Sequence, residues 1–363
     1  MTLFSNWRHW ACGAAFALTG PLLAGTWPAA APGAQPWWLN LHSSTVVQAL
    51  TRAAQEPHSL ITTYYQAEWG WQPSTWFGLQ TELEGGQVVG QRQTEHLGAN
   101  LGSQWRLNEM QEDPDLFVPV LFLTGSTPGR ELSWRLGKIS PESCFDDNRV
   151  ARAKRTKFIA QPFFRNPAVA TASKGLGGYL HWTASPRAEL ALCASDANAH
   201  GTLSGLTTWR GEWFRSAELT VRPLTLPARA AVRLLAWATE RGGVKDGGWG
   251  LNADCELTPK WVVFARAGSG SEQFARSREF FSGGIAWEAP FGRSRDFLGL
   301  GLAQAKAVRG GMHAENLAEV IYRWQFNRVF ALSPDVQYIR HPALSNVGSA
   351  WAFGLRWSMA YTR

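Results

Sequence analysis

The end of the chain carries the feature that most limits what it can fold into. Trp351, Phe353, Leu355, Trp357, Met359 and Tyr361 alternate with Ala352, Gly354, Arg356, Ser358 and Ala360. Successive side chains of a β-strand point to opposite faces, so one face here is large and oily and the other small or polar. The pattern recurs upstream. Leu132, Trp134 and Leu136 oppose Glu131, Ser133 and Arg135, and Leu219 and Val221 oppose Glu218, Thr220 and Arg222. Trp249, Leu251, Ala253 and Leu257 oppose Asn252, Asp254 and Glu256. Val320, Tyr322, Trp324 and Phe326 oppose Glu319, Arg323, Gln325 and Asn327. The same reading makes His96–Leu107 a strand, with Leu97, Ala99, Leu101, Trp105 and Leu107 opposite His96, Asn100, Gln104 and Arg106.

Alternation alone leaves two architectures. A soluble sandwich, such as a secreted sugar-binding module, buries its oily faces. A transmembrane barrel turns them to lipid and encloses the polar faces around water. Three features favour the barrel. Met1 to about Ala34 reads as an export signal, with Arg8 followed by the apolar stretch Trp10–Leu23, too short to span a membrane. The 363 residues include 20 Trp, a residue suited to a boundary between apolar and wet surroundings. The aromatic terminal strand is the third. The 36 Gly and 19 Pro argue against an all-helical chain.

A sheet in lipid must close, because an open edge leaves backbone groups unpaired. About 330 mature residues at roughly 20 per strand and connection predict ~16 strands. The expected fold is all-β: a closed antiparallel transmembrane barrel of about 16 strands with a short N-terminal extension. The expected organisation is a signal peptide over 1–31, an extension over 32–75 and the barrel over 76–363. Within the extension Ser44–Gln55 reads as a short helix, although its apolar positions are not cleanly periodic.

The net charge is +7, from 35 Lys and Arg against 28 Asp and Glu, spread along the chain. The densest run is Arg152, Lys154, Arg155 and Lys157, which reads first as a solvated loop and second as an anion-facing patch. Cys12 falls in the leader. Cys144, Cys193 and Cys255 lack metal-ligand spacing; they allow at most one internal disulfide, with no pair singled out, and each reads first as a small apolar residue. No metal, nucleotide or serine-hydrolase motif occurs, so neither a catalytic residue nor a metal nor a cofactor is expected.

Several blocks, in order, resemble the OprB-type carbohydrate-selective porins of the bacterial outer membrane. They are Arg135–Ile139 with Cys144–Asn148, then Phe158–Pro167, then Phe264–Gly268. Ser282–Ile285 follows, with Gly292, Arg293, Asp296 and Leu298–Gly301. Glu319 and Tyr322 then lead into Leu332–Ile339 and Pro342. Together they span roughly Trp76 to Arg363. The chain departs from the pattern by ending Tyr361-Thr-Arg363 instead of on an aromatic, and by carrying Lys154, Arg155 and Lys157. The resemblance implies an outer-membrane barrel, monomeric or trimeric, that passes sugars down a gradient without reaction or energy source. Partners would be carbohydrate, outer-membrane lipid and the barrel-assembly machinery acting on the C-terminal strand. No nucleic acid is expected.

A sugar channel needs hydrogen-bond donors and acceptors along a narrow section, and binding weak enough for release. Arg offers a planar, always-charged fork of five donors. The candidate channel residues are Arg135, Lys138, Glu131, Arg266, Arg106, Arg323 and Gln337. For each, a structural ion pair on the barrel wall is the competing role. Asp146 and Asn148 are expected to order an inward-folded loop, with ordinary turn formation as the alternative. A general or anion-selective pore is the second functional reading, and a barrel lipase or protease the third.

Overall fold

The computed structural model describes residues 36–89, 96–110, 116–201, 209–223, 229–271, 273–307 and 313–363. The expected signal peptide lies outside them. The described residues form sixteen strands. The first eight are β1 (Trp37–Leu50), β2 (Ser59–Ser74), β3 (Phe77–Val89), β4 (Leu121–Ser126), β5 (Leu132–Ile139), β6 (Gly175–Ser185), β7 (Ala188–Asp196) and β8 (Trp213–Val221). The others are β9 (Ala230–Arg241), β10 (Val244–Thr258), β11 (Trp261–Gly270), β12 (Ser277–Glu288), β13 (Phe297–Ala307), β14 (Ala314–Gln325), β15 (Phe330–Arg340) and β16 (Ser349–Thr362). Each strand pairs with its chain neighbours, and β1 pairs antiparallel with β16, so the sheet is a closed barrel.

The seam runs from Asn40 opposite Thr362 to Leu50 opposite Ala352. Reciprocal backbone bonds between Leu39 and Arg363, 3.0 and 2.8 Å, extend it by one more rung. On β16, Trp351, Phe353, Leu355 and Trp357 face outward, while Ala352, Arg356 and Ser358 are buried inside. Neighbouring outward rows align, with Trp357 between Thr45 and Leu332 and Phe353 opposite Val336. The ladder between β14 and β15 skips Tyr322–Arg323, opposite Ser333–Pro334. Proline has no N–H to donate there.

The longest connections gather at one end of the barrel. Short turns such as 75–76, 186–187 and 259–260 lie with both strand termini at the opposite end. The strand ends that flank the long connections, Val89 and Leu121, Ile139 and Gly175, and Asp196 and Trp213, lie together at the first. Outer-membrane barrels place short turns toward the periplasm and long loops outside. Oily side chains cover the outer wall between two aromatic belts. The short-turn belt includes Trp261 and Trp287, stacked at 5.2 Å, and Trp324 and Phe326 at 4.5 Å. Trp209 and Trp213, edge to face at 4.4 Å, belong to the long-loop belt. Tryptophan suits that boundary, with an apolar ring and one N–H for the wet side.

Three expectations need correcting. Ser44–Gln55 is no helix, because Ser44–Leu50 belongs to β1. The stretch 32–75 is no appended extension either, since it supplies β1 and β2 and the barrel begins at Trp37. His96–Leu107 is not a wall strand. It contains the short helix α1 (Leu97–Leu101), capped by His96 and ended by left-handed Gly102.

The outer face gives a graded prediction. Leu355 sits mid-strand, whereas the Trp357 ring lies 5.6 Å from Phe330 and 6.1 Å from Phe326 beside the short turn 326–329. Leu355→Arg should cost ~2–4 kcal/mol of folding stability and Trp357→Arg only ~0–1 kcal/mol. The yield of heat-modifiable barrel on unboiled gels measures both. Equal losses would contradict this placement.

Candidate functional site

Two of the long connections fold into the barrel. The first lumen loop, described over 96–110 and 116–120, carries α1 and buries Leu97, Leu101, Trp105, Leu107 and Met110. The second, 140–174, buries Val150, Phe158, Ile159, Ala160 and Phe163. These side chains form one apolar cluster with inward wall residues such as Val46, Leu50, Val262, Phe264 and Ile321. Small residues on β13 make room for it. A Cβ on Gly299 would lie 2.7 Å from the Phe158 ring, and one on Gly301 2.7 Å from the Phe163 ring. Real atoms cannot approach so closely, so glycine admits both rings to the wall.

Polar pins surround this core. Buried amides are costly unless bonded, so loops inside a barrel need partners on the wall. Glu319 on β14 accepts from the Ile159 and Ala160 amides at 2.8 and 3.1 Å. Arg356 on β16 donates to the Lys154 carbonyl at 2.7 Å. Gln337 on β15 donates to the Leu107 carbonyl of the first loop at 2.8 Å. Glu315 on β14 accepts from Ser103 and from the Gln104 amide.

Asp146 is the hub of the second loop. Its carboxylate accepts from Arg266 Nε on β11 at 2.9 Å, from Asn252 Nδ2 on β10 at 2.7 Å and from the Asn166 amide at 3.2 Å. Its own amide donates to Glu218 on β8 at 2.7 Å. Arg266 also donates to the carbonyls of Asp146 and Ala151. Asn148 folds the following turn, its Oδ1 accepting from the Val150 and Ala151 amides at 2.9 and 2.8 Å. Asp146 and Asn148 therefore sit at the turn that seats this loop across the lumen.

The other candidates are distributed as follows. Arg135 lies on the lumen side of β5, its guanidinium 5.1 Å from the Tyr179 ring centre and 5.5 Å from that of Phe122. It donates to Ser143 Oγ at 3.3 Å. Glu131 stands exposed in the turn before β5 and makes no ion pair with Arg135 among the described residues. Lys138, at the long-loop end of β5, donates to the carbonyls of Val118 at 2.7 Å and Gly201 at 3.0 Å. Arg266 and Gln337 are fully enclosed and hold loops. Arg323 is half-buried on the inner face of β14, and Arg106 is half-buried in the first loop.

The basic run is not the solvated loop expected first. It is half-buried inside the barrel and faces an acidic wall. Arg155 pairs with Glu68 on β2 at 2.9 Å, and Lys157 pairs with Glu288 on β12 at 2.9 Å. Lys174 pairs with Glu84 on β3, and Arg165 with Glu109 and Glu142. Glu82 on β3 accepts from Gln66 at 3.1 Å. The ring of Phe164 is half-buried among Arg152, Lys154 and Arg165, with each cation 5.1–5.8 Å from its centre. Basic loop, acidic wall and a partly open aromatic face thus meet across the lumen. The wall carboxylates escaped the sequence reading. Yet Glu82 and Glu84 alternate with Thr81 and Leu83, and Glu68 with Ala67 and Trp69, the same period-2 signal used elsewhere.

Above this section, at the long-loop mouth, a cavity of about 590 Å3 is lined by His96, Ser103, Gln104 and Arg276 among others. Arg276 donates to Gln161 Oε1 at 3.1 Å. Burial, then Arg106 and Arg276, lower the His96 pKa to about 4. Its Nδ1 accepts from the Ala99 amide at 3.0 Å, a bond that requires this nitrogen unprotonated.

Comparison with known proteins follows this geometry. Residues 240–361 match the family model described as carbohydrate-selective porin, OprB family. No curated protein sequence matches the chain. The high-pH structure of Pseudomonas putida OprB is similar with a TM-score of 0.73 at 12% identity, over 90% of this chain and 94% of that one. The low-pH structure of the same protein gives 0.57 at 12% identity, over 90% and 92%. A triple mutant of Rhodopseudomonas blastica porin gives 0.55 at 11% identity, over 88% and 99%. The resemblance to OprB-type porins read from the residues is thus met in the C-terminal third. The described strands form a closed sixteen-strand barrel of the fold seen in these structures, an integral β-barrel of the outer membrane.

Asp146→Ala strands the buried Arg266 charge, at a cost of ~3–5 kcal/mol. The second loop should unseat while the wall ladder stays intact. Planar-bilayer recording should show larger and noisier single-channel currents from a barrel that is still heat-modifiable. For His96, a pKa lowered from 6.5 to about 4 means the folded state binds fewer protons between those values. Its contribution to the cap is complete above pH 6.5 and is lost as pH falls through 4. Histidine-selective NMR in micelles should place its midpoint near 4, and His96→Asn should remove that transition.

Proposed function

We propose that this barrel admits small carbohydrates by passive diffusion through the section where the second lumen loop faces β2 and β3. The observation carrying the reading is Phe164 ringed by Arg152, Lys154 and Arg165 opposite Glu68, Glu82 and Glu84. Opposed charges along a narrow section hold one another through direct ion pairs. An uncharged solute crosses only if it replaces those hydrogen bonds. A sugar can do so, because its hydroxyls donate to the carboxylates and accept from the guanidinium forks. The less polar ring face of the sugar suits an aromatic side chain. Each contact is weak and already has a competing protein partner, which favours release as well as entry. The step is diffusion, with no bond made or broken.

Carbohydrate is then the passenger, lipid covers the oily outer face, and the barrel-assembly machinery engages β16. A general or anion-selective pore is the second reading. Arg106 and Arg276 at the mouth favour it, since cationic side chains there raise the local concentration of anions.

Liposome swelling with a graded panel of neutral sugars, sugar acids and amino acids of equal size tests the two. The sugar reading expects neutral sugars to enter faster than amino acids of the same radius. Entry ranked by size alone, or by negative charge alone, overturns it. Phe164→Ala should weaken sugar block of ion current roughly two- to tenfold, matching ~0.5–1.5 kcal/mol of ring contact. Titrating that block with sugar in a planar bilayer measures the change.

A further inference from the structure

Cys144, Cys193 and Cys255 are the cysteines among the described residues. Cys255 alternates with the inward Asp254 and Glu256 on β10, which puts it on the oily outer face with Ala253 and Leu257. The other two are inside. Cys144 ends the short turn Pro141–Cys144 at the root of the second lumen loop. Cys193 lies on the inner face of β7 between Ala191 and Ser195, all three buried. Both sulfurs belong to one apolar cluster with Val120, Phe122, Ile139 and Phe145. The turn that carries Cys144 packs directly on β7, which carries Cys193.

Their approach is imposed from both sides. Before Cys144, Ile139 still pairs with Gly175 on β6. After it, the Phe145 ring lies 5.9 Å from Phe214 on β8 and Asp146 is locked to Arg266. A thiol pair held this way in a chain exported through an oxidising compartment is placed for cross-linking.

We propose that Cys144 and Cys193 are joined by a disulfide that fixes the root of the second lumen loop to the barrel wall. The thiols give up two protons and two electrons as the S–S bond forms. A protein disulfide of the thiol–disulfide oxidoreductase class accepts them through a mixed disulfide and leaves as a dithiol. Cys255, outward and apart, stays a free thiol.

The test uses full-length protein extracted from outer membranes without reductant, denatured, and labelled with a maleimide mass tag. Reduction before labelling should add two tags. In Cys144→Ala or Cys193→Ala that gain should vanish, and one tag more than in the unmodified chain should appear without reduction. Non-reducing peptide mass spectrometry should recover Cys144 and Cys193 in one linked species. An unchanged tag count on reducing the unmodified chain overturns the proposal, as does a link made through Cys255. Both readouts on the unmodified chain stand even if a variant fails to assemble, and neither depends on what the pore transports.

Discussion

Hydrocarbon offers no hydrogen bonds, so every backbone amide that crosses it must find a partner in the protein. The pairing of β1 with β16 meets that demand, and the rest of the architecture follows from it. A closed sheet has a definite inside and outside, so strand alternation becomes a division between lipid and lumen. The outward rows of β16 register with those of β1 and β15, making a continuous oily surface. Pro334 interrupts the ladder with β14 at one place, and the ladder resumes on either side.

The lumen is not simply wet. Two loops bring an apolar core into the cylinder, and inward valines, leucines and phenylalanines of the wall meet them there. Around that core the backbone of the loops is bonded by wall side chains, with Glu319, Gln337, Arg266 and Arg356 each holding a named atom. The charges that look like pore chemistry in the sequence therefore divide into two groups. Some, such as Arg266, are enclosed and hold the loop. Others, such as Arg152 and Arg276, keep access to solvent.

The same division explains what was legible beforehand. On β10, β14 and β16 the inner face carries Asn252, Asp254, Glu319 and Arg356, so contrast with the outer face is sharp and the strands read correctly. On β1 the inner face holds Val46 and Leu50 as well as Ser44 and Gln48, because the lumen loops cover it. That erases the contrast, so Ser44–Gln55 reads as a helix in the sequence. His96–Leu107 shows the converse. The segment is enclosed within the barrel, so its oily residues point toward several walls and their even spacing carried no strand information. The acidic residues of β2 and β3 had a readable period. Their role depends on a loop 87 to 90 residues later in the chain, a relation that spacing cannot express.

Seating the loop by side-chain pins, separately from the wall ladder, splits two properties that a simple cylinder would hold together. Insertion depends on the wall, and sieving depends on the plug-like interior. A damaged wall exposes unpaired strands and invites removal by quality-control proteases. A slipped interior would leave a well-anchored cylinder that escapes such surveillance and leaks. For a cell that relies on its outer envelope as a permeability barrier, the second failure is the more dangerous. The dense clasping around Asp146 and Glu319 is where this chain guards against it.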